Sequence, residues 1–386
     1  MAARGQLSSD AGTAPRRPLG HVRRLVVKVG SGLVASAEGG ADQACIERLA
    51  GDVAAVRAGR EVVLVTSGAI LTGMARLALP QRPRSIPEKQ AAAAVGQSAL
   101  MWHYEAAFKR HGIAVGQVLL TAQDISDRAR YLNARNTLQT LLHLDVLPVV
   151  NENDTVAVEE IKVGDNDNLS ALVASLIEAD LLVLLTDVDG LYTEDPAVNP
   201  DARRIDTVDA VTPEIERLVY DRAGRISVGG MATKLEAAQK AAASGIPMVI
   251  ASGRAPGVLA RVVGGEAVGT YFRPRADRLT ARKRWIAFAV PPQGRLTVDA
   301  GALRALTREG RSLLPSGVVA VDGAFAAGEV VALVTEGDGR EIGRGLVNFD
   351  AAELRKIRGG KTTEIEERLG YKSVDEVIHR DNLVIL

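Results

Sequence analysis

From Arg23 to about Arg273, short apolar runs alternate with longer stretches in which apolar residues recur at helical spacing. The runs Leu25–Val29, Glu61–Thr66, Ala114–Leu119, Val146–Val150, Leu181–Leu185 and Pro247–Ala251 predict strands. Several are apolar at successive positions, the pattern of a sheet covered on both faces. Between them, Leu169–Glu178 places Leu169, Leu172, Val173, Leu176 and Ile177 on one helical face. A second helix is predicted over Lys89–Lys109. A third starts near Lys234 and stops at the glycine signal Gly245-Ile246-Pro247. This βαβ alternation predicts an α/β fold: a three-layer αβα sandwich around a mostly parallel sheet, with chemistry at the carboxyl ends of the strands. Asp154–Val163 alternates polar and apolar residues and predicts a β excursion beside that edge.

Beyond Arg273–Arg284 the pattern changes to short strands, frequent glycines and turns such as Asp322-Gly323 and Asp338-Gly339. That texture predicts a small β-barrel-like C-terminal domain. The expected division is a disordered tail over 1–20, a first domain over 21–274, a linker over 275–290 and a second domain over 291–386.

Composition narrows the function. The chain has 386 residues, 47 basic and 47 acidic, so its formal charge is zero. A dedicated nucleic-acid or membrane-surface binder would need a net basic face. Aromatics are only 3% of residues, so small aliphatics must fill the cores. The single cysteine, Cys45, allows no intrachain disulfide and fits a reducing, cytoplasmic compartment. It lies in a predicted helix and reads as a packed core thiol. No apolar run approaches the ~18 residues of a spanning helix. The five histidines show no metal-ligand spacing.

Candidate chemistry clusters at strand ends. The first strand runs into Lys28-Val29-Gly30-Ser31-Gly32, where glycines open backbone N–H groups to phosphate and the lysine adds a point charge. Alone, this segment is equally a tight turn. It also fits a relaxed dinucleotide fingerprint, but a dehydrogenase would want an acid after the second strand, which ends in Thr66-Ser67-Gly68-Ala69 instead. No Walker loop is present. The strongest signal is Asn151-Glu152-Asn153-Asp154 followed by Gly164-Asp165-Asn166-Asp167-Asn168. One turn or cap needs a single such residue; four successive Asp and Asn after Gly164 exceed it. Thr186-Asp187 follows the fifth strand, and Gly229-Gly230-Met231-Ala232-Thr233-Lys234 opens a helix in a manner suited to an anion.

In order and spacing these segments resemble the amino-acid kinase family, and the region from about Pro291 resembles a PUA domain. The resemblance implies ATP-dependent phosphorylation of the side-chain carboxylate of L-glutamate, giving glutamyl 5-phosphate for proline synthesis. It implies Lys28 and Lys234 as stabilisers of the moving phosphoryl group, with Asp167 holding them. Ser67, Gly68, Asp154, Asp165 and Asn166 would bind the amino acid. Lys28, Gly30, Thr186, Asp187 and the stretch Val228, Gly229, Gly230, Met231, Ala232, Thr233 and Lys234 would contact ATP. One departure is Val228, where the family commonly has threonine. Mg²⁺ is implied on the phosphates, without named protein ligands. Proline is implied as a feedback inhibitor, glutamyl-phosphate reductase as a downstream partner, and a homo-oligomer (dimer or tetramer) as the assembly. Rival readings are another activity of the family, such as acetylglutamate kinase, or RNA binding through the PUA-like region. That region carries eighteen basic and sixteen acidic residues from Arg275 onward, too balanced for strong phosphate-driven binding.

Overall fold

The computed structural model describes residues 22–35, 40–157, 166–194, 196, 198–220, 230–275, 281–372 and 374–386. The chain divides into two compact units, one of residues 1–121 and 135–275, the other of residues 122–134 and 276–386.

In the first unit, the elements that frame the site are β1 (Arg24–Val29), α1 (Gln43–Arg57), β2 (Glu61–Thr66), α2 (Ala69–Arg76), α3 (Ile86–Lys109), β3 (Val115–Leu120), β4 (Leu147–Glu152), α4 (Asn166–Leu176), β5 (Leu181–Thr186), β6 (Thr207–Val208), α5 (Met231–Ala243), β7 (Met248–Ser252) and β8 (Thr270–Phe272). The six strands expected from hydrophobic runs are all present, each shifted by at most a residue or two. Eight strands form one sheet in the order β3-β4-β2-β1-β5-β7-β8-β6, parallel except where β8 runs against β7. Every residue of β5 is buried, which explains why its sequence Leu-Leu-Val-Leu-Leu-Thr shows no alternation. Burying each such leucine is worth about 1.5–3 kcal/mol. Tyr104 and Phe108 of α3 are fully buried against the same core.

Local signals set the helix ends. Ser85 and Glu88 form a capping box at the start of α3, and Asp42 caps α1 by accepting from the Cys45 amide at 2.9 Å. Cys45 itself is buried in α1, and burial pushes its thiol pKa up, as an inert core thiol requires. Helices α2 and α3 cross in backbone contact at Gly73 and Gly96. A Cβ on Gly96 would lie 1.8 Å from the Ala69 carbonyl oxygen, so no other residue fits there.

Within the segment 154–163, residues 154–157 depart from the sequence reading. Asp154–Val156 form a turn, not the start of a strand, because Asn153 donates its amide to Leu120 and accepts from Val156 and Ala157. Residues 158–163 lie outside the described residues.

The second unit carries a five-stranded sheet. In chain order its elements are β9 (Gly294–Val298), α6 (Ala300–Arg308), β10 (Val318–Gly323), β11 (Val330–Thr335), β12 (Glu341–Leu346), α7 (Ala351–Ile357) and β13 (Leu383–Ile385). The strand order is β10-β9-β11-β12-β13, with β9 and β11 parallel and the other pairs antiparallel. Its core centres on Leu296, Leu333, Phe349, Leu354 and Ile365, all fully buried. Among the described residues no helix is long and apolar enough to cross a membrane.

Candidate active site

Because β1, β2, β4, β5 and β7 are parallel, their carboxyl ends meet at one edge of the sheet. Register fixes the details: Lys28 lies opposite Val65 on one side and Leu184 on the other, and Thr186 lies opposite Ser252. Gly30 then donates its amide to the Leu185 carbonyl at 3.0 Å, which turns the chain out of β1.

The centre of the site is Asp167, in the first turn of α4 and 0% exposed. Its Oδ1 lies 2.6 Å from Lys28 Nζ and its Oδ2 lies 3.1 Å from Lys234 Nζ, both lysines being buried. A buried ion is tolerated only when paired and hydrogen-bonded. Here one carboxylate serves two ammonium groups, and the trio keeps one net positive charge. Thr233 Oγ1 lies 2.9 Å from both Asp167 Oδ2 and the Gly230 carbonyl, and its one proton serves one acceptor at a time. Helix α5 follows Gly230, its N-cap, which has no side chain to cap it.

The packing of α4 against α5 brings Lys234 to Asp167, and a clamp on the same seam holds it. Buried Asn168 donates to Glu236 Oε2 at 3.0 Å and accepts from Lys240 Nζ.

A second group forms beside the trio. Asn166 Nδ2 donates to Ser67 Oγ at 2.9 Å and to Asn151 Oδ1 at 3.1 Å. Ser67 follows β2, and Gly68, at φ 106°, ends that loop as the N-cap of α2. A Cβ on Gly68 would meet Val34 Cγ2 at 2.7 Å, so glycine is required there on both counts. Thr66, at the end of β2, is tied to Tyr104 by a 2.7 Å hydroxyl contact, and burial drives the Tyr104 pKa upward, so that hydroxyl stays neutral. Asn166 Oδ1 is shielded from solvent and has no hydrogen-bond partner among the described residues.

On the other flank, buried Thr186 donates to Asp187 Oδ1 at 2.9 Å, and a Cβ on Gly32 would stand 3.8 Å from Asp187 Oδ2. The Gly30–Gly32 turn and Thr186-Asp187 are therefore neighbours. Asp154 is half-buried in the turn after β4. Asp165, Val228 and Gly229 lie outside the described residues. No group of three or more His, Cys, Asp or Glu gathers for a metal among the described residues.

Two contributors escaped the sequence reading. Gln97, buried on α3, accepts from Asn151 Nδ2 at 2.8 Å, and Tyr104 anchors Thr66. Gln97 could have been noticed as a polar residue on the same helical face as Ala93, Leu100 and Tyr104.

Residues 23–252 match the model of the amino acid kinase family, and residues 294–369 match that of the PUA domain. A glutamate 5-kinase of Moorella thermoacetica is 54% identical over 96% of this chain and 98% of its own length. A glutamate 5-kinase of Ralstonia nicotianae is 54% identical over 97% of this chain and 100% of its own. Among solved structures, UMP kinase from Bacillus anthracis aligns at 20% identity with a TM-score of 0.46, covering 68% of this chain and 100% of that one. Because the family model spans residues 23–252 and these relatives are 54% identical over nearly the whole chain, the chain belongs to the amino acid kinase family, in its glutamate 5-kinase branch with a C-terminal PUA domain.

Proposed function

We propose that this chain transfers the γ-phosphoryl group of ATP to the side-chain carboxylate of L-glutamate, the opening step of proline synthesis. The observation that carries the reading is the buried Asp167 carboxylate holding two lysines at 2.6 and 3.1 Å. A side-chain carboxylate with an ordinary pKa of about 4.3 is already ionised at neutral pH and needs no general base. The chemistry therefore reduces to aligning two anions and neutralising charge on the moving group. The trio, with its net positive charge, supplies that neutralisation from a dry, fixed position.

In this reading Lys28 and Lys234 contact the transferring oxygens, and Asp167 sets their separation and does not act as a base. Ser67, Gly68, Asp154, Asp165 and Asn166 receive glutamate. Gly30, Thr186, Asp187 and the stretch Val228–Lys234 receive ATP. Mg²⁺ would be held chiefly by the nucleotide phosphates, where it adds positive charge to the bridging and terminal oxygens.

We take residues 21–274 as the kinase domain, 275–290 as a linker and 291–386 as a PUA-like domain that serves stability or assembly. The reaction belongs in the cytoplasm, with proline as feedback inhibitor and a glutamyl-phosphate reductase consuming the product. Self-assembly is supported by α3, which carries no charged residue from Gln90 to Trp102 yet exposes Val95 by 38% and Trp102 by 59%. An uncharged face suits a second copy of itself. The substrate assignment is tested by following ADP release with glutamate, N-acetylglutamate and aspartate in turn. Glutamate is expected to support turnover best; preference for N-acetylglutamate would move the chain to another activity of the family.

A further inference from the structure

Behind the proposed glutamate site runs a chain of amides in which Gln97 and Asn151 are buried, Asn166 is half-buried and Gln117 is exposed. Gln97 Nε2 donates to Gln117 Oε1 at 3.3 Å. Asn151 Nδ2 donates to Gln97 Oε1 at 2.8 Å. Asn151 Oδ1 accepts from both the Glu152 amide at 2.9 Å and Asn166 Nδ2 at 3.1 Å. Asn166 Nδ2 spends its other proton on Ser67 Oγ at 2.9 Å. Reversing Asn151 would point its N–H groups at the Glu152 amide and at Asn166. Reversing Asn166 would set two carbonyl oxygens face to face. The Glu152 amide and Gln97 Oε1 together hold Asn151 in one orientation, and Asn151 in turn orients Asn166.

The consequence falls on Ser67. Its Oγ accepts from Asn166, and its own proton has no acceptor among the described residues. Half-buried at the end of β2, it is left as a hydrogen-bond donor, the polarity that suits a substrate carboxylate. We propose that Gln97, on α3 and outside the substrate-contacting set, is a positioning residue that fixes Ser67 as a donor to the amino-acid substrate, acting through Asn151 and Asn166. The inference rests on the glutamate-binding reading above.

The test replaces Gln97 with methionine, which keeps the length and volume of the side chain and removes the acceptor for Asn151. Steady-state kinetics are measured for Gln97→Met, Ser67→Ala and the double variant, with thermal unfolding of each as a check on folding. Gln97→Met is expected to raise KM for glutamate about tenfold, the loss of roughly one charge-assisted hydrogen bond. The KM for ATP and the kcat at saturating glutamate are expected to stay as they are. In the Ser67→Ala background the Gln97 change is expected to add little, since the two act on one interaction. Gln97→Glu retains an acceptor oxygen and is expected to restore most of the lost affinity; it also serves if the methionine variant does not fold. An unchanged KM in Gln97→Met would overturn the proposal. So would a full additional penalty in the Ser67→Ala background, or a loss in Gln97→Glu as large as that in Ser67→Ala. A wild-type protein silent with glutamate would refute the activity itself, before any variant is compared.

Discussion

Lys28 and Lys234 are lysines that a folded protein would ordinarily keep in water, yet Asp167 holds both in its interior. That charge balance sets the expected cost of two substitutions. Lys28→Ala should lower kcat by orders of magnitude while leaving glutamate binding largely intact, as steady-state kinetics and direct glutamate titration would show. Asp167→Asn leaves two buried cations without their anion, and should cost about 3–5 kcal/mol of stability in denaturant unfolding as well as most of the turnover. Because the nucleophile is already ionised, the pH profile of kcat/KM should show no rising limb from a catalytic base in the range of about 6–8. At this scale the sequence was informative where polarity exceeded structural need: of the Asp and Asn run after Gly164, Asp167 meets both lysines and Asn166 meets Ser67 and Asn151. Gln97 escaped notice because a single polar residue on an apolar helical face is no more than ordinary at the level of sequence, and its meaning comes only from Asn151 across the sheet.

Strands were the most legible elements, since burial on both faces leaves uninterrupted apolar runs such as that of β5. The turn at Asp154–Val156 was misread as a strand because alternation over a short polar stretch also fits a loop held by Asn153. The crossing of α2 and α3 was invisible to periodicity, because it depends on two glycines twenty-three residues apart, Gly73 and Gly96. That crossing seats the start of α2, and with it Ser67 and Gly68. Gly96→Ala would force a Cβ to within 1.8 Å of the Ala69 carbonyl oxygen. It should therefore destabilise the fold by at least about 1–3 kcal/mol and raise KM for glutamate more than KM for ATP. Calorimetry together with the two KM values would check both halves of that expectation.

For the molecule as a whole, two units with separate cores share one chain, and the proposed reaction uses residues of the first alone. The change of sequence texture beyond Arg273 falls beside the 275/276 division between the units, whereas residues 122–134, kept in the first domain by the sequence reading, cluster with the second unit. If the uncharged face of α3 joins two copies, Trp102→Glu should shift the protein to a smaller species in light scattering while leaving its unfolding temperature nearly unchanged, because Trp102 is 59% exposed in the single chain. The central claim is that the Lys28–Asp167–Lys234 trio delivers phosphate to the side-chain carboxylate of glutamate, making an acyl phosphate. Hydroxylamine traps such a product as a hydroxamate, so the direct measurement is to incubate the protein with Mg-ATP, glutamate and hydroxylamine and identify what forms. The account predicts the side-chain hydroxamate of glutamate in step with ADP; ADP without hydroxamate, or hydroxamate only with N-acetylglutamate or aspartate, would contradict it.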